Sequence, residues 1–177
     1  MWPIAHRLFL GDYDSGALAL AGEEHPTPPN GSPAPFAGVV SLCPMPLFPG
    51  PRPKGPARAD TEWLLLPIAD GGNGEDELTS ALALTLPFIR RRLPHGNVLV
   101  HCAAGMSRSV TVVAALLCED LRIDADLALT RVAELKAKSF RHLNYPPELL
   151  VAPAPEFRAV LRRMFSGRGP SNGDSPR

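Results

Sequence analysis

The sequence predicts an α/β fold, with a central, mostly parallel sheet flanked by helices. Three observations carry this expectation. Short apolar runs, GVVSLC (38–43), WLLLPI (63–68) and VLV (98–100), are bounded by glycine, proline and polar residues, as buried strands are. Segments with apolar residues at helical spacing alternate with them. The 177 residues, 45% of them hydrophobic, suit one domain with a real core. Such alternation puts helices on both faces of the sheet and ligand sites at the C-terminal ends of the strands.

Taken in order, Leu8–Leu10 form an expected edge strand ending at Gly11, and Asp14 and Ser15 are expected to cap a short helix over 16–24. Residues 26–35, rich in Pro, Gly and Asn, read as a loop. Gly38–Cys43 reads as a buried strand. The prolines of PMPLFPGPRPKGPARAD (44–60) forbid a helix or a central strand, so this stretch reads as a proline-rich insertion whose basic residues are available to a partner. Trp63–Ile68 is a second buried strand, followed by the polar, glycine-rich ADGGNGEDE. Residues 75–93 carry Leu78, Leu82, Leu86, Ile89 and Leu93 at helical spacing, with a kink or break expected at Pro87. Pro94-His95-Gly96 is a turn and Val98–Val100 a third buried strand. Helices are expected over 107–120, 124–138 and 155–164, the last with Pro155 in its first turn. The polar residues from Ser166 on read as a disordered tail. The expected domain is therefore 1–165, with the tail at 166–177.

Lys plus Arg and Asp plus Glu both number 18, so the formal charge is zero. This gives no support for nucleic-acid or anionic-membrane binding, and any anion site must be local. Cys43, Cys102 and Cys118 form no C-x-x-C pair and are odd in number, which argues against a disulfide framework or a structural zinc site. No signal-peptide core and no bilayer-length apolar run is present, so the expected location is intracellular, in the cytoplasm with the nucleus left open.

The informative stretch is NVLVHCAAGMSRSVT (97–111). Between Cys102 and Arg108 lie Ala103, Ala104, Gly105, Met106 and Ser107. A loop this short, entering a helix, can curl so that its N–H groups converge on an anion, reinforced by the helix end. Gly105 permits the backbone turn. Arg108 can grip two oxygens of a tetrahedral dianion with its planar fork. Phosphate fits that cradle, held by 103–108. Cys102 then lies under the phosphorus, where the same positive groups favour a nucleophilic thiolate. Ser109 can donate to the sulfur and help it leave. His101 reads as an orienting residue that fixes the loop through a ring N–H rather than exchanging the substrate proton. Cys118 reads as core, Arg90–Arg92 as a solvated helix end, and Cys43 as a strand-end thiol with the option of a protective disulfide to Cys102.

HCAAGMSRS resembles the His-Cys-x5-Arg-Ser signature of the cysteine-dependent protein tyrosine phosphatases, and its small interior is most similar to the atypical dual-specificity branch. The resemblance covers roughly residues 7–165. It implies two-step hydrolysis of phosphate monoesters on phosphorylated proteins, without a metal or other cofactor. It also implies a general acid on a mobile loop upstream of the cysteine. Asp70, 32 positions upstream (102 − 70) and followed by Gly71 and Gly72, is preferred to Asp76, 26 positions upstream (102 − 76) and within a helix's first turn. Members of this branch carry a Pro-Asn-Pro-like segment before the last helix. The matching stretch here is Pro153-Ala154-Pro155, and Asn144, in an expected insertion over 140–151, is the candidate substitute. No phosphotyrosine-clamping loop and no lysines typical of inositide-lipid phosphatases accompany the signature. This implies a shallow pocket open to phosphotyrosine, phosphoserine and phosphothreonine. Two other functions fit the same loop: a phosphoprotein-binding module with little turnover, and an RNA 5′-phosphatase, which would need a basic groove.

Overall fold

A computed structural model describes residues 1–22, 26–28, 31, 33–45, 61–143 and 145–167, with backbone only for 141–143. Most of the 44–60 stretch, Asn144 and the tail from 168 lie outside the described residues. Five strands, β1 (Trp2–Ala5), β2 (Leu8–Gly11), β3 (Phe36–Ser41), β4 (Glu62–Leu65) and β5 (Asn97–His101), form one sheet in the order β1-β2-β5-β3-β4. Only the β1–β2 pair is antiparallel; β2, β5, β3 and β4 run parallel.

Alternate residues of each strand serve opposite faces. Phe9, Val39 and Leu99 pack with Phe36 and Ala19 under α1 (Tyr13–Ala21). Leu8, Leu10, Val40, Val98 and Val100 join the larger core beneath the remaining helices. These are α2 (Glu75–Arg92), α3 (Arg108–Leu121), α4 (Ala125–Ala137) and α5 (Pro155–Phe165). The expected α/β fold, with helices on both sides of a mostly parallel sheet, is the fold observed.

Several details differ from expectation. The 8–10 run is not an edge: β2 is buried throughout, because β1, unmarked in the sequence, pairs outside it. Conversely, WLLLPI supplies β4 at the opposite edge, with Trp63 and Leu65 largely exposed. Helix α1 starts earlier than 16, because Asp12 accepts the Ser15 N–H as N-cap, and it stops at Gly22 in the left-handed conformation. Pro87 neither breaks nor interrupts α2. It lies on the exposed face, where the Ala83 carbonyl that it leaves unbonded can turn to water. Residues 138–143 and 147–150 form two short 3-10 helices between α4 and α5.

The parallel strands end in register. Gly11 and Ser41 both pair with His101, and Leu65 pairs with Ser41. The segments that follow, 12–, 42–, 66– and 102–, therefore converge on one edge of the sheet, and the site lies there.

Candidate active site

β5 delivers Cys102 to that edge, and the chain turns over Ala103–Ser107 into α3. Gly105 sits at φ 67°, and a Cβ there would lie 2.5 Å from the Trp2 ring and 2.9 Å from the Gly11 carbonyl. Only glycine satisfies both the backbone conformation and the space.

Three loop carbonyls are tied outward. Ala103 accepts from the Tyr13 N–H at 3.0 Å and Met106 from the Ala152 N–H at 2.8 Å. Gly105 accepts from the Lys136 ammonium at 2.7 Å. Across a trans peptide the next N–H points the other way. Those of Ala104, Met106 and Ser107 thus face the opposite side of the loop. Ser107 is the N-cap of α3 but makes no side-chain capping bond; its hydroxyl accepts the Ala154 N–H at 3.3 Å instead. Among the described residues no side chain caps the positive end of α3, which is the arrangement an anion uses.

Cys102 is 1% exposed, and its sulfur lies 3.2 Å from the Ser109 hydroxyl. Burial opposes its ionisation. Hydrogen bonds from the Ser109 hydroxyl and from the Ser109 and Gly105 N–H groups, with the Arg108 charge, outweigh it, and the thiol pKa is lowered. Cys43 stands near enough to feel Arg108 and Cys102, but burial raises its pKa, and none of the three cysteines is in a disulfide. Cys118 is in the core.

Arg108 is 7% exposed. Its Nη1 donates to the carbonyls of Leu42 (3.3 Å) and Ile68 (3.2 Å), and Nη2 is 3.3 Å from an Asp70 carboxylate oxygen. Its buried Nε has no partner among the described residues. One edge of the guanidinium, Nε with the remaining Nη2 hydrogen, is thus held in place and left to bind something else. Buried donors are rarely left unbonded, and a two-oxygen ligand matches this edge.

Asp70 is about half exposed, on the segment after β4. That segment follows Ser41 and Leu42 through Leu66 N–H to Ser41 O (2.9 Å) and Ile68 N–H to Leu42 O (3.3 Å). Gly71 and Gly72 adopt positive φ, and the Gly72 N–H donates to Glu156 of α5. Asp76 is in the first turn of α2, as expected.

His101 is fully buried beneath Gly16 of α1, where any Cβ would overlap the imidazole. Its Nε2 is 2.6 Å from the Ser41 hydroxyl, which accepts from the Trp63 indole at 2.9 Å. Its Nδ1 is 3.4 Å from the Cys102 carbonyl. One tautomer satisfies all of these: Ser41 donates to Nε2, and Nδ1–H points at Cys102 O. Burial lowers the His101 pKa, so the ring is neutral near neutral pH.

All five residues singled out for chemistry, Cys102, Arg108, Ser109, His101 and Asp70, thus meet at one edge of the sheet. Ser41 and Trp2 were not singled out by sequence, and neither was Lys136, which is 2% exposed and donates to Gly105 O and to Leu150 O (2.9 Å). Among the described residues the 140–155 region supports the loop through the backbone of Leu150, Ala152 and Ala154.

The sequence matches the family "Dual specificity phosphatase, catalytic domain" over residues 54–152. Over 130 residues it is 30% identical to Dual specificity protein phosphatase 12 of Rattus norvegicus, covering 73% of this chain. The chain spans about a third of that relative's length, 35%. Among solved structures it resembles DUSP15 (TM-score 0.61, 22% identity, 93% of this chain and 86% of that one). It also resembles human DUSP28 (0.58, 21%, 92% and 94%) and human tyrosine phosphatase-like serine/threonine/tyrosine-interacting protein (0.58, 21%, 93% and 94%). The chain belongs to the dual-specificity phosphatase family.

Proposed function

We propose that this chain, as a catalytic unit spanning 1–165, hydrolyses phosphate monoesters on phosphorylated protein side chains through a phosphocysteine at Cys102. The observation that carries the reading is the ionisation-prone sulfur, 3.2 Å from the Ser109 hydroxyl, beside an Arg108 Nε that has no partner among the described residues. The loop N–H groups of 103–108 and Arg108 hold three phosphoryl oxygens. The Cys102 thiolate donates an electron pair to phosphorus as the P–O bond to the leaving group breaks. Asp70 gives its proton to the departing alkoxide or phenoxide. In the second step Asp70 takes a proton from water, whose oxygen attacks phosphorus. The P–S bond breaks, and Ser109 stabilises the departing thiolate. His101 holds the Cys102 carbonyl and moves no substrate proton.

The test is turnover of phosphotyrosine, phosphoserine and phosphothreonine peptides, with Cys102→Ser as control. Wild type is expected to release phosphate and the variant to lose on the order of 10⁴-fold or more, while still binding an oxyanion. Binding of phosphopeptide by wild type with no phosphate released would favour the binding-module reading.

A further inference from the structure

We propose that Lys136, lying against the Trp2 ring, is the positioning residue that holds the phosphate loop in its anion-accepting form. This rests on the reading of 102–108 as an oxyanion cradle. A lysine on an amphipathic helix ordinarily extends into water, but this one turns inward from α4. Its ammonium donates to Gly105 O at 2.7 Å and to Leu150 O at 2.9 Å, and stands 4.0 Å from the centroid of the Trp2 ring. Its three N–H donors thus meet two carbonyls and an aromatic face, which is how a buried ammonium is made tolerable.

The carbonyl it holds matters most. The Gly105–Met106 peptide is trans, so drawing Gly105 O towards Lys136 directs the Met106 N–H away from it. A rotation of that peptide plane would put a carbonyl oxygen where an N–H is needed, facing an anion with negative charge. Glycine at 105 makes such a rotation easy, since it lacks the Cβ that would resist it. Lys136 therefore supplies a restraint that the loop's own sequence lacks. Leu150 O ties the same ammonium to the segment whose Ala152 N–H holds Met106 O, so two consecutive carbonyls are fixed by one small cluster.

The charge has a second effect. The groups acting on Lys136 are Cys102 after β5 and Asp12 at the head of α1. Burial lowers its pKa and these two raise it, leaving it at about 8. A dianion bound in the loop favours the protonated amine, so anion affinity falls as pH rises through this range and the amine loses its charge.

The experiment measures calorimetric affinity for tungstate, which stays a dianion throughout, at pH values from about 7 to about 10 around that pKa. Wild type, Lys136→Met and Lys136→Arg are compared. At the lower pH the methionine variant should bind about tenfold more weakly, the loss of one charge-assisted hydrogen bond. Arginine should restore most of the affinity and remove the decline above pH about 8, because it does not lose its charge. The wild-type pH series needs no variant, and the Trp2 indole ¹⁵N signal, assigned with Trp2→Phe, should titrate over the same range. Wild-type affinity that is flat with pH, or a folded methionine variant that binds as wild type does, overturns the proposal alone. Wild type that binds no tungstate overturns the cradle itself.

Discussion

The two flanks of the phosphate loop are built differently. On the Asp70 side the chain is exposed and lightly fastened. Asp70 is half exposed, Gly71 and Gly72 follow at φ 132° and 74°, and the main ties are Asp70 to Arg108, Gly72 to Glu156 and Asn73 to Ala69 O. On the Lys136 side the ties run from 2.7 to 3.3 Å, and the lysine itself is fully enclosed. Lys136, Ala152 and Ala154 each grip a loop group, and the aromatic ring of Trp2 lies against Lys136. The difference fits the two tasks. A cradle that stabilises developing charge works best when its dipoles are fixed beforehand. A group that meets each new leaving oxygen must approach and withdraw.

The comparison is tested most severely at Asp70. Asp70→Asn should lower kcat for phosphopeptides by about 10²-fold or more, and by less for p-nitrophenyl phosphate, whose leaving group needs little protonation. Asp76→Asn, on the helix rather than the exposed flank, should stay near wild type. If Asp76→Asn shows the leaving-group dependence instead, the acid has been misassigned.

A smaller effect concerns the fixed flank. Because the preset donors lower the Cys102 pKa, its alkylation by iodoacetamide should titrate below the ~8.5 of a free cysteine. The sign follows from the shift: the ionised form is favoured by folding, so its contribution to stability is present at alkaline pH and lost as pH falls through the lowered value. Alkylation that follows the free-thiol curve would mean that the donors do not reach the sulfur.

The smallest change is expected from Glu156→Gln. It keeps an acceptor for Gly72 N–H but removes the charge, which loosens the acid segment without touching the cradle. A loss of about three- to fivefold in kcat, with tungstate affinity unchanged, is expected from a weakened charge-assisted bond. An equal loss in tungstate affinity would show that the flanks are not independent.

How much of this was legible in the sequence follows the same division. The strand–loop–helix around Cys102 was legible because its chemistry is local: a buried run, a glycine and an arginine at fixed spacing. Asp70 was singled out through the resemblance, which implies an acid upstream of the cysteine, together with its place after an apolar run and before two glycines. Lys136 was not, because nothing in an amphipathic repeat separates a lysine that turns inward from one in water. Trp2 and Ser41 were hidden likewise, since their partners, Gly105, Lys136 and His101, lie far away in sequence. The strand WLLLPI was read as buried for its apolar content. Its edge position depends on the whole sheet order, which a local run does not encode. Pro87 was read as a breaker because its effect depends on which face it occupies, and that face is set by packing.

The central claim is a covalent bond between phosphorus and the Cys102 sulfur. Wild-type protein mixed with a phosphotyrosine peptide and quenched in acid within milliseconds should yield, by mass spectrometry, a Cys102-containing fragment carrying one phosphoryl group, absent from Cys102→Ser. Phosphate release at full rate with that fragment unmodified throughout the time course would contradict the account.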